Sequence, residues 1–144
     1  MYRRMLVAID GSAAAARALD EAIQLAVEAK ASLGLIHVVD MPYVYDGENV
    51  DFNALAVQRA APGQTIISEA TAKVRQAGIE PEVMLGSSEG GRVGTAIVAE
   101  AKRWTADLIV LGTHGHNILR RLLGSTAEDV VRGSPVPILL VRGQ

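Results

Sequence analysis

Five short apolar runs recur along the chain, and the segments between them carry apolar residues at helical spacing. The runs lie at residues 5–9, 33–39, 82–85, 107–112 and 136–141. Runs of this length, rich in branched residues, are typical of strands that are buried on both faces. We therefore predict five strands, of which the one at 107–112 is central.

The segments between the runs predict four helices, at residues 13–30, 64–76, 92–104 and 125–132. Ser12 is the expected N-cap of the first helix, and Gly78 is the expected end of the second. Strands that alternate with helices predict a doubly wound α/β domain with right-handed crossovers. Three apolar stripes are expected to face the sheet: Leu19, Ala22, Ile23, Ala26 and Val27; Ile67, Ala70, Val74 and Ala77; and Gly94, Ile97, Val98 and Ala101.

Residues 40–62 follow neither pattern and contain Pro42, Gly47 and three aromatic residues. We predict a long connection here, with a short helix near residues 53–60. Connections of this length are often binding lids or partner surfaces, and a variable surface loop is the alternative.

Composition narrows the classes of function. The 144 residues suit one domain, spanning 1–144, and 49% of them are hydrophobic, which argues against a disordered chain. Fourteen basic against 16 acidic residues give a net charge of −2, so nucleic acid is not expected as a partner. The absence of cysteine excludes disulfides and thiolate metal sites. No segment approaches the ~18 apolar residues of a membrane span, and we expect a soluble, cytoplasmic protein without membrane insertion.

Three glycines after the fourth strand carry the candidate chemistry. Gly112 and Gly115 follow the strand, and Gly124 comes after eight further residues, immediately before Ser125. Ser125 and Glu128 have the spacing of a capping box, which predicts a helix start whose further amides point outward. Such a start attracts anions, and phosphate is the commonest of suitable size. The alternative is that these glycines only turn the chain and ease helix entry.

This glycine pattern resembles the nucleotide-binding signature of the universal stress protein family. The first strand and turn, from Met5 to Ser12, and the last strand are similar to the same family, and the resemblance covers essentially the whole chain. It implies a Rossmann-like, five-stranded parallel sheet of strand order 3-2-1-4-5 with helices on both faces. Ligands of such sheets bind beyond the carboxyl ends of the strands where the order reverses. Asp10 and Gly112 are expected to flank that crevice.

The resemblance also implies a ligand, ATP with Mg²⁺, and the residues that would bind it. Asp10 and the backbone around Val38 would recognise the adenine and sugar, and Leu111 and Gly112 would line the sugar side. The Gly115 loop and the following helix start would hold the phosphates. The full expected set is Ala8, Ile9, Asp10, Val38, Leu111, Gly112, His114, Gly115, Gly124, Ser125, Thr126 and Ala127.

Some of these residues also have a simpler interpretation. Asp10 precedes a glycine, where a carboxylate often bonds neighbouring amides and forms a turn. His114 and His116 could meet a phosphate or a metal, but two histidines without a third ligand make a weak metal site, so exposed loop histidines are the alternative. Arg120 and Arg121 could reach terminal phosphates, and a solvated loop charge is the more frequent outcome.

The expected function is that of an adenine-nucleotide-binding regulatory module in a stress response. No Walker lysine or kinase signature is present, so efficient catalysis is not expected, and at most slow ATP hydrolysis or self-phosphorylation at Ser125 or Thr126 is the second hypothesis. A third is a dimeric interaction protein that has lost nucleotide binding. Eight residues separate Gly115 from Gly124, and ATP-binding family members typically carry one more.

The last strand, Val136 to Val141, is expected at an edge of the sheet, next to Pro135 and with Pro137 near its start. A bare apolar edge invites pairing with another strand. The family resemblance implies that the pairing strand belongs to a second copy, and we predict a homodimer through this edge.

Overall fold

The computed structural model describes residues 1–39, 52–88, 92–113 and 124–143, and it describes residues 52–61 by their backbone alone. In these ranges the predicted pattern of five strands and four helices is confirmed. The strands are β1 (Arg4–Ala8), β2 (Ser32–Val39), β3 (Glu82–Ser87), β4 (Leu108–Thr113) and β5 (Ile138–Arg142). The helices are α1 (Ala13–Ala29), α2 (Phe52–Gln76), α3 (Val93–Trp104) and α4 (Ser125–Gly133).

The strands form one parallel sheet in the order β3-β2-β1-β4-β5, which confirms the predicted topology. β1 lies at the centre, where Met5 pairs with Leu33 of β2 and with Leu108 of β4. β2 and β3 extend the sheet to one side of β1, and β4 and β5 extend it to the other. The strand order therefore reverses between β1 and β4.

Each face of the sheet is covered by helices and holds its own hydrophobic core. Because side chains alternate along a strand, Met5 and Val7 of β1 join the core formed with α1 and α2, whereas Leu6 joins the core formed with α3 and α4. All three side chains are fully buried. Removal of this apolar surface from water on both faces is what stabilises the layered arrangement.

α1 packs on the sheet through a stripe of mostly small residues. Ser12 is its N-cap, as predicted, because the Ser12 hydroxyl accepts a hydrogen bond from the amide of Ala15 at 3.1 Å. Val27 was predicted to face the sheet, and this is wrong: it is exposed, because it lies beside the buried arc and not within it. That arc consists of Ala14, Ala15, Ala18, Leu19, Ala22 and Ala26.

α2 differs most from the prediction. The expected short helix near 53–60 and the helix at 64–76 are one continuous helix of 25 residues, which includes Pro62. Proline has no amide hydrogen to donate, and a glycine follows it, so the pair predicts the end of a helix. In the structure the helix continues and Gly63 is buried, with so little space that a Cβ there would lie 2.6 Å from the ring of His37. Residues 40–51 of the predicted connection lie outside the described residues.

The ends of the elements show two further differences. Ala77 was expected to face the sheet but is exposed, because α2 ends at Gln76 and Gly78 then turns the chain with a φ of 85°. β5 begins two residues after the predicted Val136. Pro137 contributes only its carbonyl to the sheet, which accepts a hydrogen bond from the Ile109 amide at 3.1 Å.

α3 lies where it was predicted, and its expected inner residues are buried. Trp104 at its end is also buried. Its indole nitrogen donates a hydrogen bond to Glu82 at 2.7 Å, and the guanidinium of Arg4 lies 4.1 Å from its ring centroid. None of the helices in the described part of the chain combines the length and the apolar character needed to cross a membrane.

Candidate functional site

A cleft of about 360 Å³ opens beyond the carboxyl ends of β1 and β4, at the point where the strand order reverses. Its floor comes from the ends of β1, β2 and β4, and the starts of α1, α3 and α4 form its walls. The lining residues are Ala8, Ile9, Asp10, Ser12, Ala14, Ala15, Ile36, Val38, Val93, Ile97, Leu111, Gly112, Thr113, Gly124, Ser125, Thr126 and Ala127.

Ten of the twelve residues predicted to bind a nucleotide line this one cleft. They are Ala8, Ile9, Asp10, Val38, Leu111, Gly112, Gly124, Ser125, Thr126 and Ala127. The other two, His114 and Gly115, lie outside the described residues, as do His116, Arg120 and Arg121. The structure thus brings the two predicted halves of the site together, and their role in binding stays a prediction.

The start of α4 differs from the predicted capping box. Gly124 is the N-cap, with φ −73° and ψ 172°, and Ser125 is the first residue of the helix. The helix therefore begins one residue earlier than a Ser125 cap requires, so the box is wrong, and the Glu128 carboxylate pairs with Arg132 at 3.1 Å instead. No described side chain caps α4, so its first amides have no side-chain partner within the described ranges, and the positive end of the helix dipole lies beside the cleft.

Gly112 and Gly124 lack a side chain for different reasons. A Cβ on Gly112 would lie 2.4 Å from the backbone carbonyl of Ala14, so the close packing of α1 on β4 requires glycine there. A Cβ on Gly124 would meet no described atom within 4 Å, and its φ suits any residue. The packing of the described residues therefore does not require glycine at position 124.

Asp10 occupies the mouth of the cleft in the turn between β1 and α1. One carboxylate oxygen accepts a hydrogen bond from the Ser12 amide at 2.8 Å, and Gly11 adopts a positive φ of 84°. The turn-forming interpretation of Asp10 is thus present in the structure. The carboxylate is also exposed and lines the cleft, so the same geometry leaves it accessible to a ligand.

Thr113 lines the cleft but was not among the predicted binding residues. Its side chain is 7% exposed, and no described residue forms a hydrogen bond with its hydroxyl. It lies two residues after Leu111 on the face of β4 that is turned to α3 and α4, and it lines the cleft. The fourth strand was predicted to end at Gly112. A prediction that extended this strand to Thr113 would have placed its side chain on the same face as that of Leu111, because side chains alternate along a strand.

The wall formed by α3 was not predicted either, because Ile97 was assigned to a core stripe and Val93 was not singled out. With Ile36, Val38 and Leu111 they make one side of the cleft apolar. Asp10 and the uncapped start of α4 make other parts polar. No group of three or more histidine, aspartate or glutamate side chains in the described ranges is arranged to hold a metal ion.

Comparison with known proteins places this cleft in a family context. The profile of the Universal stress protein family matches residues 1–142. Universal stress protein YxiE of Bacillus subtilis is 32% identical over 152 aligned positions, covering 99% of this chain and all of the relative.

Solved structures agree with the sequence match. UspA of Lactobacillus plantarum is 28% identical, with a TM-score of 0.83 and 98% of each chain covered. A universal stress protein in complex with cAMP is 28% identical, with a TM-score of 0.75 and 99% of each chain covered. A universal stress protein of Archaeoglobus fulgidus in complex with dAMP is 26% identical, with a TM-score of 0.68, covering 97% of this chain and 98% of the other.

Proposed function

The chain belongs to the universal stress protein family, and from that premise we propose that it binds an adenine nucleotide in the cleft between β1 and β4. The observation that carries the proposal is the uncapped start of α4, which faces the same cleft as Asp10. Free amides backed by a helix dipole favour a phosphate, and a carboxylate can accept hydrogen bonds from the hydroxyls of a sugar.

The shape and lining of the cleft support this ligand class. Its volume of about 360 Å³ falls in the range of roughly 300–1,000 Å³ typical of small-molecule sites. The apolar wall between Ile36 and Ile97 suits the faces of a purine base. The polar end, with Thr113, Ser125 and Thr126, suits a ribose and phosphates.

The relatives support an adenine nucleotide in particular, because two of the similar structures hold cAMP and dAMP. We further propose ATP with Mg²⁺ as the physiological ligand. Since the described side chains form no cation site of their own, the metal would be held mainly by phosphate oxygens. Nucleotide occupancy would then change the surface that the protein offers to partners, as expected of a stress-response regulatory module. A cytoplasmic location stays a prediction.

Calorimetric titration with AMP, ADP and Mg-ATP tests the proposal. We expect saturable binding, with Thr113→Val weakening it about threefold to tenfold, because one neutral hydrogen bond is lost. The same substitution should leave stability to urea nearly unchanged, because valine has the shape of threonine and no described residue forms a hydrogen bond with the Thr113 hydroxyl.

Thr95→Val is the matched control, because Thr95 is exposed on α3 and does not line the cleft. Equal affinities for Thr113→Val, Thr95→Val and the unaltered protein would remove Thr113 from the site. If the unaltered protein binds none of the three nucleotides, the proposal fails, and the short loop before Gly124 then favours a member that acts through protein contacts only.

A further inference from the structure

A second depression, of about 400 Å³, adjoins the nucleotide cleft between the starts of α3 and α4. Val93, Ser125 and Thr126 line both spaces, so the two are neighbours. We call the second space the α3–α4 groove. Its full lining is Arg92, Val93, Ser125, Thr126, Glu128, Asp129 and Arg132.

Arg92 is held in this groove by one carboxylate. Its Nη1 atom donates a hydrogen bond to Oδ1 of Asp129 at 2.8 Å, and the Asp129 side chain is 12% exposed whereas that of Arg92 is 70% exposed. The nearly buried Asp129 carboxylate thus holds the Arg92 guanidinium in position. No other described residue accepts a hydrogen bond from Arg92, so within the described ranges the remaining N–H groups of its planar fork have no partner.

Close packing fixes the distance between the two helix starts. A Cβ on Gly94 would lie 2.6 Å from both the carbonyl oxygen of Thr126 and the Cβ of Asp129. Glycine therefore allows α3 to contact the first turn of α4 directly. Arg92 and the first amides of α4 are consequently held next to each other around the groove.

The charges in the groove are balanced before a ligand binds. Glu128 pairs with Arg132 at 3.1 Å and Asp129 pairs with Arg92 at 2.8 Å, so neither carboxylate is without a cation. The uncapped start of α4 adds partial positive charge at Ser125 and Thr126. The side chains of these two residues and of Arg92 line the same groove, which gives an anion there several possible hydrogen-bond donors.

We propose that the α3–α4 groove holds the terminal phosphates of a nucleoside di- or triphosphate, and that Arg92 makes the site distinguish these ligands from monophosphates. This proposal rests on nucleotide binding in the cleft. The base, the sugar and the first phosphate occupy the cleft, and only the later phosphates reach the groove. Arg92 therefore contributes to the affinity for ATP and ADP and not to that for AMP.

Calorimetry on the Arg92→Gln variant tests the proposal, with AMP, ADP and ATP as ligands. The loss of a charge-assisted hydrogen bond should weaken ATP binding about tenfold or more. AMP affinity should change less than about twofold, so the ratio of ATP to AMP affinity falls about tenfold. Arg103→Gln is the matched control, because Arg103 lies on the same helix, pairs with Glu100 at 2.7 Å and is similarly exposed, yet does not line the groove.

Each outcome separates this proposal from the one on which it rests. An unchanged ratio in Arg92→Gln overturns the groove proposal, and so does an equal loss of AMP and ATP affinity, which would mark Arg92 as a support of α4. An unaltered protein that binds ATP no more tightly than AMP also overturns it and leaves nucleotide binding intact. If the unaltered protein binds no nucleotide, both proposals fail.

Discussion

Gly112 and Gly124 belong to one sequence pattern, yet the structure gives each its own physical reason. The sequence indicated that both positions matter, because glycines around a strand end and a helix start are typical of phosphate sites. It could not show that Gly112 is required by α1, since that contact joins residues almost a hundred positions apart. Whether a glycine is needed for close packing depends on residues that are distant in the sequence, so the spacing of the glycines alone cannot show it.

Substitution of these two glycines separates packing from ligand space. Gly112→Ala should lower the free energy of unfolding by about 1–3 kcal/mol, because its Cβ would overlap the backbone of α1. Gly124→Ala should cost less, at most about 1 kcal/mol, because its Cβ would meet no described atom within 4 Å and the remaining cost is that of alanine as an N-cap. Urea denaturation of both variants provides the measurement, and equal destabilisation would show that Gly124 also has a packing role.

Among the elements, the strands were the most predictable, because fully buried runs have few alternatives in a chain of this composition. α2 was the least predictable. Pro62 and Gly63 predict a break, but the helix continues through both, and Gly63 packs so closely on His37 of β2 that a Cβ would lie 2.6 Å from the ring. Its first part, from Phe52, carries no pattern strong enough to override these two residues.

Two of the helices that begin at the cleft, α1 and α4, differ in how their first turns are stabilised. Ser12 caps α1 with its hydroxyl, whereas α4 begins after Gly124 without a side-chain cap. Spacing alone could not distinguish these cases, because Ser125 and Glu128 fit a capping box in the sequence. A cap is defined by backbone angles at one residue, and a shift of one position removes it.

The matched pair Ser12→Ala and Ser125→Ala tests this difference. Ser12→Ala should cost about 1 kcal/mol of stability, the typical value of a lost N-cap. Ser125→Ala should cost almost nothing in the absence of ligand, because its side chain is exposed and caps no amide. Urea midpoints of the two variants are the measurement, and the reverse order would contradict the assignment of Gly124 as the N-cap.

For the whole molecule, the sheet ends in two edge strands, β3 and β5. We propose that the chain forms a homodimer through the last strand, predicted at Val136 to Val141 and observed as β5 at Ile138–Arg142. Leu140 on this strand is 36% exposed, which leaves an apolar side chain at an unpaired edge. The order of the strands could be predicted because family resemblance and helix–strand alternation agree, whereas the partner of an edge lies outside the chain.

Charge placed on each edge in turn tests the dimer. Leu140→Glu should convert a dimer to a monomer at micromolar concentration, because a carboxylate would be buried without a partner. Val83→Glu is the control, since Val83 is 43% exposed on the opposite edge. Sedimentation equilibrium reports the mass, and a dimer that survives Leu140→Glu but not Val83→Glu would place the interface on β3.

The direct pairing of β1 with β4, through Met5, Leu6 and Val7, joins parts of the chain that are far apart in sequence. The cleft lies at the carboxyl ends of these two strands, with Asp10 on one side and Ser125 on the other. A ligand that contacts both sides of the cleft would link the N-terminal part of the chain, which contains β1, to the C-terminal part, which contains β4. Ligand binding should then slow amide hydrogen exchange in β1 and β4 together, at the centre of the sheet as well as at the residues that line the cleft.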